Sequence, residues 1–161
     1  MKIAIASDHA GFKYKELVKK YLSSKQIEFE DFGTSDEQLC DYPDYIAPAA
    51  RALQERKVDR LIVLGGSGNG EAIVANRFRG VRCCLCLNVE MARLARMHND
   101  SNAISIGQRL IGEDQLLTIV DTWIDTNFEG GRHARRIAKI DSSALQSSTN
   151  SIASSLAKTR N

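Results

Sequence analysis

The sequence predicts an α/β fold: a doubly wound, five-stranded parallel sheet with helices on both faces. Two observations carry this expectation. Five short, apolar, β-prone runs alternate along the chain with longer stretches whose apolar residues recur every three or four positions. Polar and glycine-rich clusters follow the first, third and fifth of these strand-like runs, where ligand-binding loops of such sheets lie.

Residues 2–7 (KIAIAS) are short and apolar and make the first strand. Over 11–25, Phe12, Leu17, Val18, Tyr21 and Leu22 fall at helical spacing. Residues 27–32 (IEFEDF) alternate apolar and acidic, the pattern of a strand with one solvated face. A polar loop, GTSDEQLCDYPDY, leads to a helical stripe of Ile46, Ala49, Ala50 and Leu53 within 44–56. Residues 59–64 (DRLIVL) form a buried strand ending in GGSGNG, and 71–78 continue as a helix. A fourth strand covers 81–87 (VRCCLCL), a helix 88–97, and a fifth strand 102–106 (NAISI). Leu116, Leu117, Val120, Trp123 and Ile124 line the inner face of a helix over 113–126, and a last short helix covers 132–140. Right-handed crossovers then give a three-layer sandwich of Rossmann or flavodoxin-like type, with strand order 2-1-3-4-5 as the economical arrangement.

The 161 residues fit one domain of ordinary size, here 1–140, followed by a tail. A composition of 43% hydrophobic and 26% charged residues excludes a wholly disordered chain. The net charge of +2 is too small for a nucleic-acid surface. No apolar run approaches the roughly 20 residues that span a bilayer, so no membrane partner is expected. The start, MKIAIASDH, lacks the longer apolar core and cleavage site of a secretory signal, which points to the cytoplasm. Cys40, Cys83, Cys84 and Cys86 read as thiols, the last three serving as small apolar residues of one strand. No second cysteine pair or neighbouring histidine completes a zinc site. Residues 141–161 contain seven serines among 21 residues, a tail either disordered or docked on a partner subunit.

The sharpest local signal is Gly65-Gly66-Ser67-Gly68-Asn69-Gly70-Glu71 at a strand-to-helix turn. Glycines there permit close backbone approach, and successive N–H groups at a helix start form an anion site. The run is not a Walker loop, since no Gly-Lys-Ser/Thr follows, and a dinucleotide fingerprint fits poorly because it follows the third strand. Glu71 either complements the helix dipole or serves as a general base beside an oxyanion site. Asp8 and His9 follow the first strand, and Gly107, Gln108 and Arg109 the fifth. His98, Asn99 and Asp100 end a helix just before the fifth strand. All three histidines, His133 included, fall at loop or helix-end positions. Arg132 and Arg136 are four apart and share a helix face, as a solvated basic face or as a clamp for one phosphate. Together these residues suggest a phosphate ester as ligand and proton transfer next to a carbonyl.

Seven segments run collinearly across 2–140: Ser7-Asp8-His9-Ala10-Gly11-Phe12, Asp41-Tyr42-Pro43, Gly66-Ser67-Gly68-Asn69-Gly70-Glu71, Ala75-Asn76-Arg77, His98-Asn99-Asp100-Ser101-Asn102, Gly107-Gln108-Arg109 and Glu129-Gly130-Gly131-Arg132-His133. This ordered set resembles type B ribose-5-phosphate isomerases and their galactose-6-phosphate isomerase relatives. The resemblance implies interconversion of ribose 5-phosphate and ribulose 5-phosphate through a cis-enediolate, without cofactor or metal. It implies that Asp8 and His9 contact the sugar, that His98 helps to open the furanose ring as acid/base, and that Asn99 holds a sugar oxygen. Gly66, Ser67, Gly68, Asn69 and Gly70 would line the enediolate oxygens, with Ser67 donating. Arg109, Arg132 and Arg136 match the family's substrate-binding arginines, the last two expected on the phosphate with help from His9. Many members carry a catalytic Cys just before the glycine-rich loop, where this chain has Gly65. A second branch uses a Glu right after the loop, which Glu71 matches. The resemblance further implies homodimers or homotetramers with sites at the subunit interface. Two other readings stand beside it. One is an isomerase of allose or galactose 6-phosphate, separated by pocket length. The other is a non-catalytic phosphate-binding module, against which the joint presence of Asp8, His9, Glu71 and His98 argues.

Overall fold

The computed structural model describes residues 1–140 and 142, so the expected Ser-rich tail lies outside the described residues apart from position 142. The chain divides into two compact units, Met1–Phe128 and Glu129–Asn161. The first alternates strands and helices: β1 (Lys2–Ser7), α1 (Phe12–Ser24), β2 (Glu28–Asp31), α2 (Tyr42–Gln54), β3 (Arg60–Gly65), α3 (Asn69–Ala75), β4 (Cys83–Leu85), α4 (Val89–Asn99), β5 (Ala103–Gly107) and α5 (Glu113–Asp125). In the second, Gly130 and Gly131 lead into a helix over 132–140. Among the described residues no helix is long and apolar enough to cross a membrane.

Every strand pair is parallel, and the order is β2-β1-β3-β5-β4. The expected order 2-1-3-4-5 is thus corrected: the last two strands exchange places. β5 is buried at all its positions, whereas β4 is three residues long with two of them half-buried. A strand flanked on both sides needs apolar side chains on both faces, which the Ala103–Gly107 run supplies. The shorter β4 takes the edge, where a brief strand leaves few unpaired groups.

Crossover direction fixes the layers. From β2 to β3, and from β3 to β4, the chain steps one way across the sheet. From β1 to β2, and from β4 to β5, it steps the other way. Right-handed connections therefore put α2 and α3 on one face and α1 and α4 on the other. The two cores follow this division. Ile3, Ile5, Ile62, Leu64, Ile104 and Ile106 join residues of α1, α4 and α5, with Trp123 fully buried among them. Trp123 Nε1–H donates to Ser101 Oγ at 2.7 Å, satisfying its one polar atom. On the opposite face, Ala4, Ala6, Leu61 and Val63 join Ala49 and Ala50 of α2 and Ala75 of α3. Small side chains on both partners bring α2 close to the sheet.

Two boundaries differ from the sequence pattern for local reasons. α2 starts at Tyr42, earlier than its apolar stripe, because Pro43 is preset for a first helical turn. α3 starts at Asn69, directly after Gly68 at φ 79°. β1 and β5 lead to helices on one face, whereas β3, between them, leads to α3 on the other. Crevices therefore open at the carboxyl ends of β1 and β3 and of β3 and β5, the places where such sheets hold ligands.

Candidate active site

Three loops meet at the carboxyl edge of the sheet. The β3–β5 ladder continues beyond the strands: Gln108 N–H donates to Gly65 O at 2.8 Å and Arg109 N–H to Gly66 O at 3.0 Å. Ser105 Oγ–H, rising from inside β5, donates to Gly68 O at 2.6 Å. A Cβ on Gly107 would lie 2.5 Å from Ser67 O, so the two loops touch through backbone. The glycine-rich segment is thereby held by strand geometry, with Ser67 and Asn69 exposed at its crest. Asn69 N–H reaches Ser67 Oγ at 3.3 Å. The Arg109 side chain is exposed and lies over the loop, its guanidinium carbon 3.3 Å from where a Cβ on Gly66 would be.

Asp8 is buried at the end of β1. Its Oδ1 accepts from the N–H groups of Ala10 (2.9 Å) and Gly11 (3.0 Å), which turns the chain into α1. Its Oδ2 faces His9 Nδ1 at 4.0 Å. The same ring nitrogen lies 3.3 Å from both the backbone N and O of Cys40. A cleft of about 550 Å³ opens here, lined by His9, Leu39, Cys40, Asp41 and Asp44.

Glu71, on the first turn of α3, is only 3% exposed. Its carboxylate sits against the Cα of Gly65. Burial pushes its carboxyl above the ordinary value; its own backbone N–H opposes this, and the negative charge of Asp8 adds to the rise. A carboxylate so placed is a stronger proton acceptor than an exposed one, and it stands beside a loop built of backbone amides. One edge of one sheet thus gathers Asp8, His9, Gly66, Ser67, Gly68, Asn69, Gly70, Glu71 and Arg109.

His98 and Asn99 are not in this group. They end α4, immediately before β5 begins at Ala103. All strands run the same way, so these residues lie at the amino edge. The five residues of β5 separate the two edges by about 16 Å, at roughly 3.3 Å per residue. Their turn has its own supports. Asp100 takes a left-handed conformation at φ 42°. Arg96 Nη1 donates to Asp100 Oδ1 (2.9 Å) and Ser101 O (2.6 Å). Arg82 donates to Asn99 O (3.1 Å) and, through Nη2, to Asp100 O (2.7 Å). Arg132 and Arg136 belong to the second unit, at exposed positions of the helix over 132–140.

A protein-family model described as Ribose/Galactose Isomerase matches residues 3–140. The chain belongs to this isomerase family. It is 38% identical over 139 residues to the ribose-5-phosphate isomerase B of Escherichia coli, covering 86% of this chain and 93% of that one. A solved ribose 5-phosphate isomerase from Thermotoga maritima is 52% identical, with a TM-score of 0.85, over 88% of this chain and 97% of that one. Ribose-5-phosphate isomerase B from Mycoplasma genitalium, solved with bound ribulose-5-phosphate, has a TM-score of 0.86 at 34% identity, over 89% of this chain and 96% of that one.

Some residues that support this edge of the sheet were not singled out by sequence reasoning, and others that were named take roles it did not foresee. Lys15 is fully buried and reaches both carboxylate oxygens of Asp31, at 2.7 and 2.6 Å. Asp31 Oδ1 accepts from Gly33 N–H (2.9 Å), and Gly33 O accepts from Ser7 N–H (2.7 Å), directly before Asp8. Burial raises the Asp31 carboxyl, but Lys15, Lys19 and the Gly33 N–H outweigh it and hold it below its ordinary value. Gln108 Oε1 accepts from Tyr14 N–H at 3.0 Å, tying the β5 loop to the start of α1. His133, placed at a helix end by the sequence, is buried. The four cysteines are free thiols, with Cys83 and Cys86 buried. Burial pushes Cys86 up to about 12 and Cys83 higher than its ordinary value, as befits apolar filling.

Proposed function

We propose that this isomerase interconverts ribose 5-phosphate and ribulose 5-phosphate through a cis-enediolate. The observation that carries the reading is the buried carboxylate of Glu71 beside the glycine-rich loop. Glu71 takes the proton from C2 of the open-chain aldose and returns it to C1, while a second proton passes from O2 to O1. The backbone of Gly66 to Gly70 and the Ser67 hydroxyl stabilise the enediolate oxygens. Asp8 and His9 bind the sugar, and Arg109 lies over the loop. His98 opens the furanose ring and Asn99 holds a sugar oxygen. Arg132 and Arg136 take the phosphate, four apart on one helix.

Because His98 and Asn99 stand at the amino edge, one copy of the first unit does not join them to Glu71. We propose a homodimer, or a tetramer built from such dimers, in which a second copy presents them. Residues 1–140 form the isomerase domain on this reading, and the enzyme is cytoplasmic. The names of the Escherichia coli and Mycoplasma genitalium relatives support the pentose substrate.

The test is turnover of ribose 5-phosphate and of allose 6-phosphate by wild type and by Glu71→Gln. Gln keeps the shape but accepts no proton. The expected result is preference for the pentose and a fall of about 10²–10⁴-fold in rate for Glu71→Gln. Preference for the hexose phosphate would replace the substrate. A near-normal rate for Glu71→Gln would move the base to another residue.

A further inference from the structure

We infer that Gly65 is a positioning residue for the base: the space left by its missing side chain is the seat of the Glu71 carboxylate. The inference rests on the reading of Glu71 as base and adds a requirement to it. Gly65 closes β3 and pairs with Gly107 in the parallel ladder. Its φ lies outside the left-handed region, so its backbone is one that any residue adopts. Space is what demands glycine. The three atoms nearest to a Cβ built on Gly65 are Glu71 Oε1, Cδ and Oε2, all within 2.5 Å. Non-bonded carbon contacts begin at about 3.5 Å.

The neighbouring glycines meet a different obstacle. A Cβ on Gly107 strikes the backbone of Ser67, and one on Gly11 strikes the backbone of Leu64 and Gly65. A side chain at either position disturbs the fold. At Gly65 the three nearest atoms all belong to the far end of one side chain. An alanine there leaves the strand in place and evicts the carboxylate. Glu71 is nearly fully buried, so the evicted group has no second seat inside and turns toward water. A general base must lie within hydrogen-bond reach of the carbon-bound proton, and a displacement of about 1 Å is enough to lower the rate by about 10².

The experiment is a double-mutant cycle of Gly65→Ala and Glu71→Gln, read by kcat, KM, the pH profile of kcat and thermal melting. Gly65→Ala is expected to fold, to keep KM, and to lose about 10²-fold in kcat. The acid limb of its pH profile moves down toward the ordinary carboxylate value, because the carboxylate has reached water. A merely structural glycine would not move that limb. In the Glu71→Gln background the alanine lowers the residual rate no further. If Glu71→Gln alone keeps its rate, the base reading falls and the seat falls with it. If Glu71→Gln loses its rate while Gly65→Ala keeps both kcat and pH limb, the seat is overturned and the base stands. If Gly65→Ala does not fold, Gly65→Ala/Glu71→Ala decides. An emptied seat accepts the new methyl group and restores folding, and failure to restore it overturns the inference.

Discussion

The two edges of the sheet hold their functional residues by different means. At the carboxyl edge the glycine-rich loop is pinned through backbone, by the Gln108 and Arg109 N–H groups, with Ser105 adding one side-chain bond. At the amino edge the helix-end backbone bonds of the His98–Asn99 turn are joined by a side-chain clamp: Arg82 and Arg96 grip Asp100 and the carbonyls around it. Glu71, the proposed base, and the loop beside it are thus built into the sheet, where register sets their positions. His98 and Asn99, the residues proposed to open the ring and hold the sugar, sit on a helix end that shares the Asp100 carboxylate between Arg82 and Arg96. On the proposed assembly the first edge of one copy meets the second edge of another, so half of the site is rigid by topology and half by a charged clamp.

The largest effect comes from separating the edges. Glu71→Gln and His98→Asn are each expected to be nearly inactive as homogeneous enzymes. Co-expression with two different tags, followed by purification through both, isolates mixed dimers. In a mixed dimer with two-fold symmetry one site carries both substitutions and the other carries neither, so about half of wild-type turnover returns. Mixed dimers as inactive as their parents would mean that Glu71 and His98 do not serve one site across copies.

A smaller effect separates clamp from ladder. Asp100→Ala removes the carboxylate shared by Arg82 and Arg96 and releases the turn. A fall of about tenfold in kcat is expected, with stability reduced by about 2 kcal/mol for the lost charged hydrogen bonds. Ser105→Ala removes one anchor of the glycine-rich loop but leaves its backbone bonds, so its rate loss is expected to stay below about threefold. Steady-state kinetics on both variants make the comparison. Equal losses would show that the two edges are held alike.

Much of this arrangement was legible in the sequence. The alternation of strand and helix patterns gives the layers, and the collinear motifs give the residues. The amino-edge position of His98 and Asn99 was also there, since they end a helix just before a strand. What it meant emerged only when the strands proved parallel and ordered, because distance across a sheet is a property of topology. The β4/β5 exchange was hidden because VRCCLCL and NAISI look equally apolar, and the longer run gives a strand of only three residues. Ser105 carried a weak signal, a lone polar residue inside the apolar run AISI, whereas Lys15 was masked among Lys13, Glu16, Lys19 and Lys20 of its helix. Gly65 stood out as the start of the glycine-rich run, but its contact with the Glu71 carboxylate was hidden, because that neighbour lies six residues away on the next element.

The smallest expected effect concerns the burial of Glu71 itself. Its carboxyl is raised above its ordinary value of 4.5, chiefly by burial. Between the ordinary value and the raised one, the folded chain holds a proton that the unfolded chain has released. Stability therefore falls as pH climbs through that window, and above it the full penalty of a buried negative charge is present. Gln at this position has the same shape and never ionises. Glu71→Gln should melt a few degrees above wild type at about pH 7.5, and the gap should close on acidification to about pH 4. Melting curves at the two pH values test this in the same samples used for kinetics. A gap that does not change with pH would mean that the carboxylate is as well solvated folded as unfolded. The acid limb of catalysis should then lie at the ordinary carboxylate value, and the contrast between a buried base at one edge and an open, clamped turn at the other would lose its energetic basis.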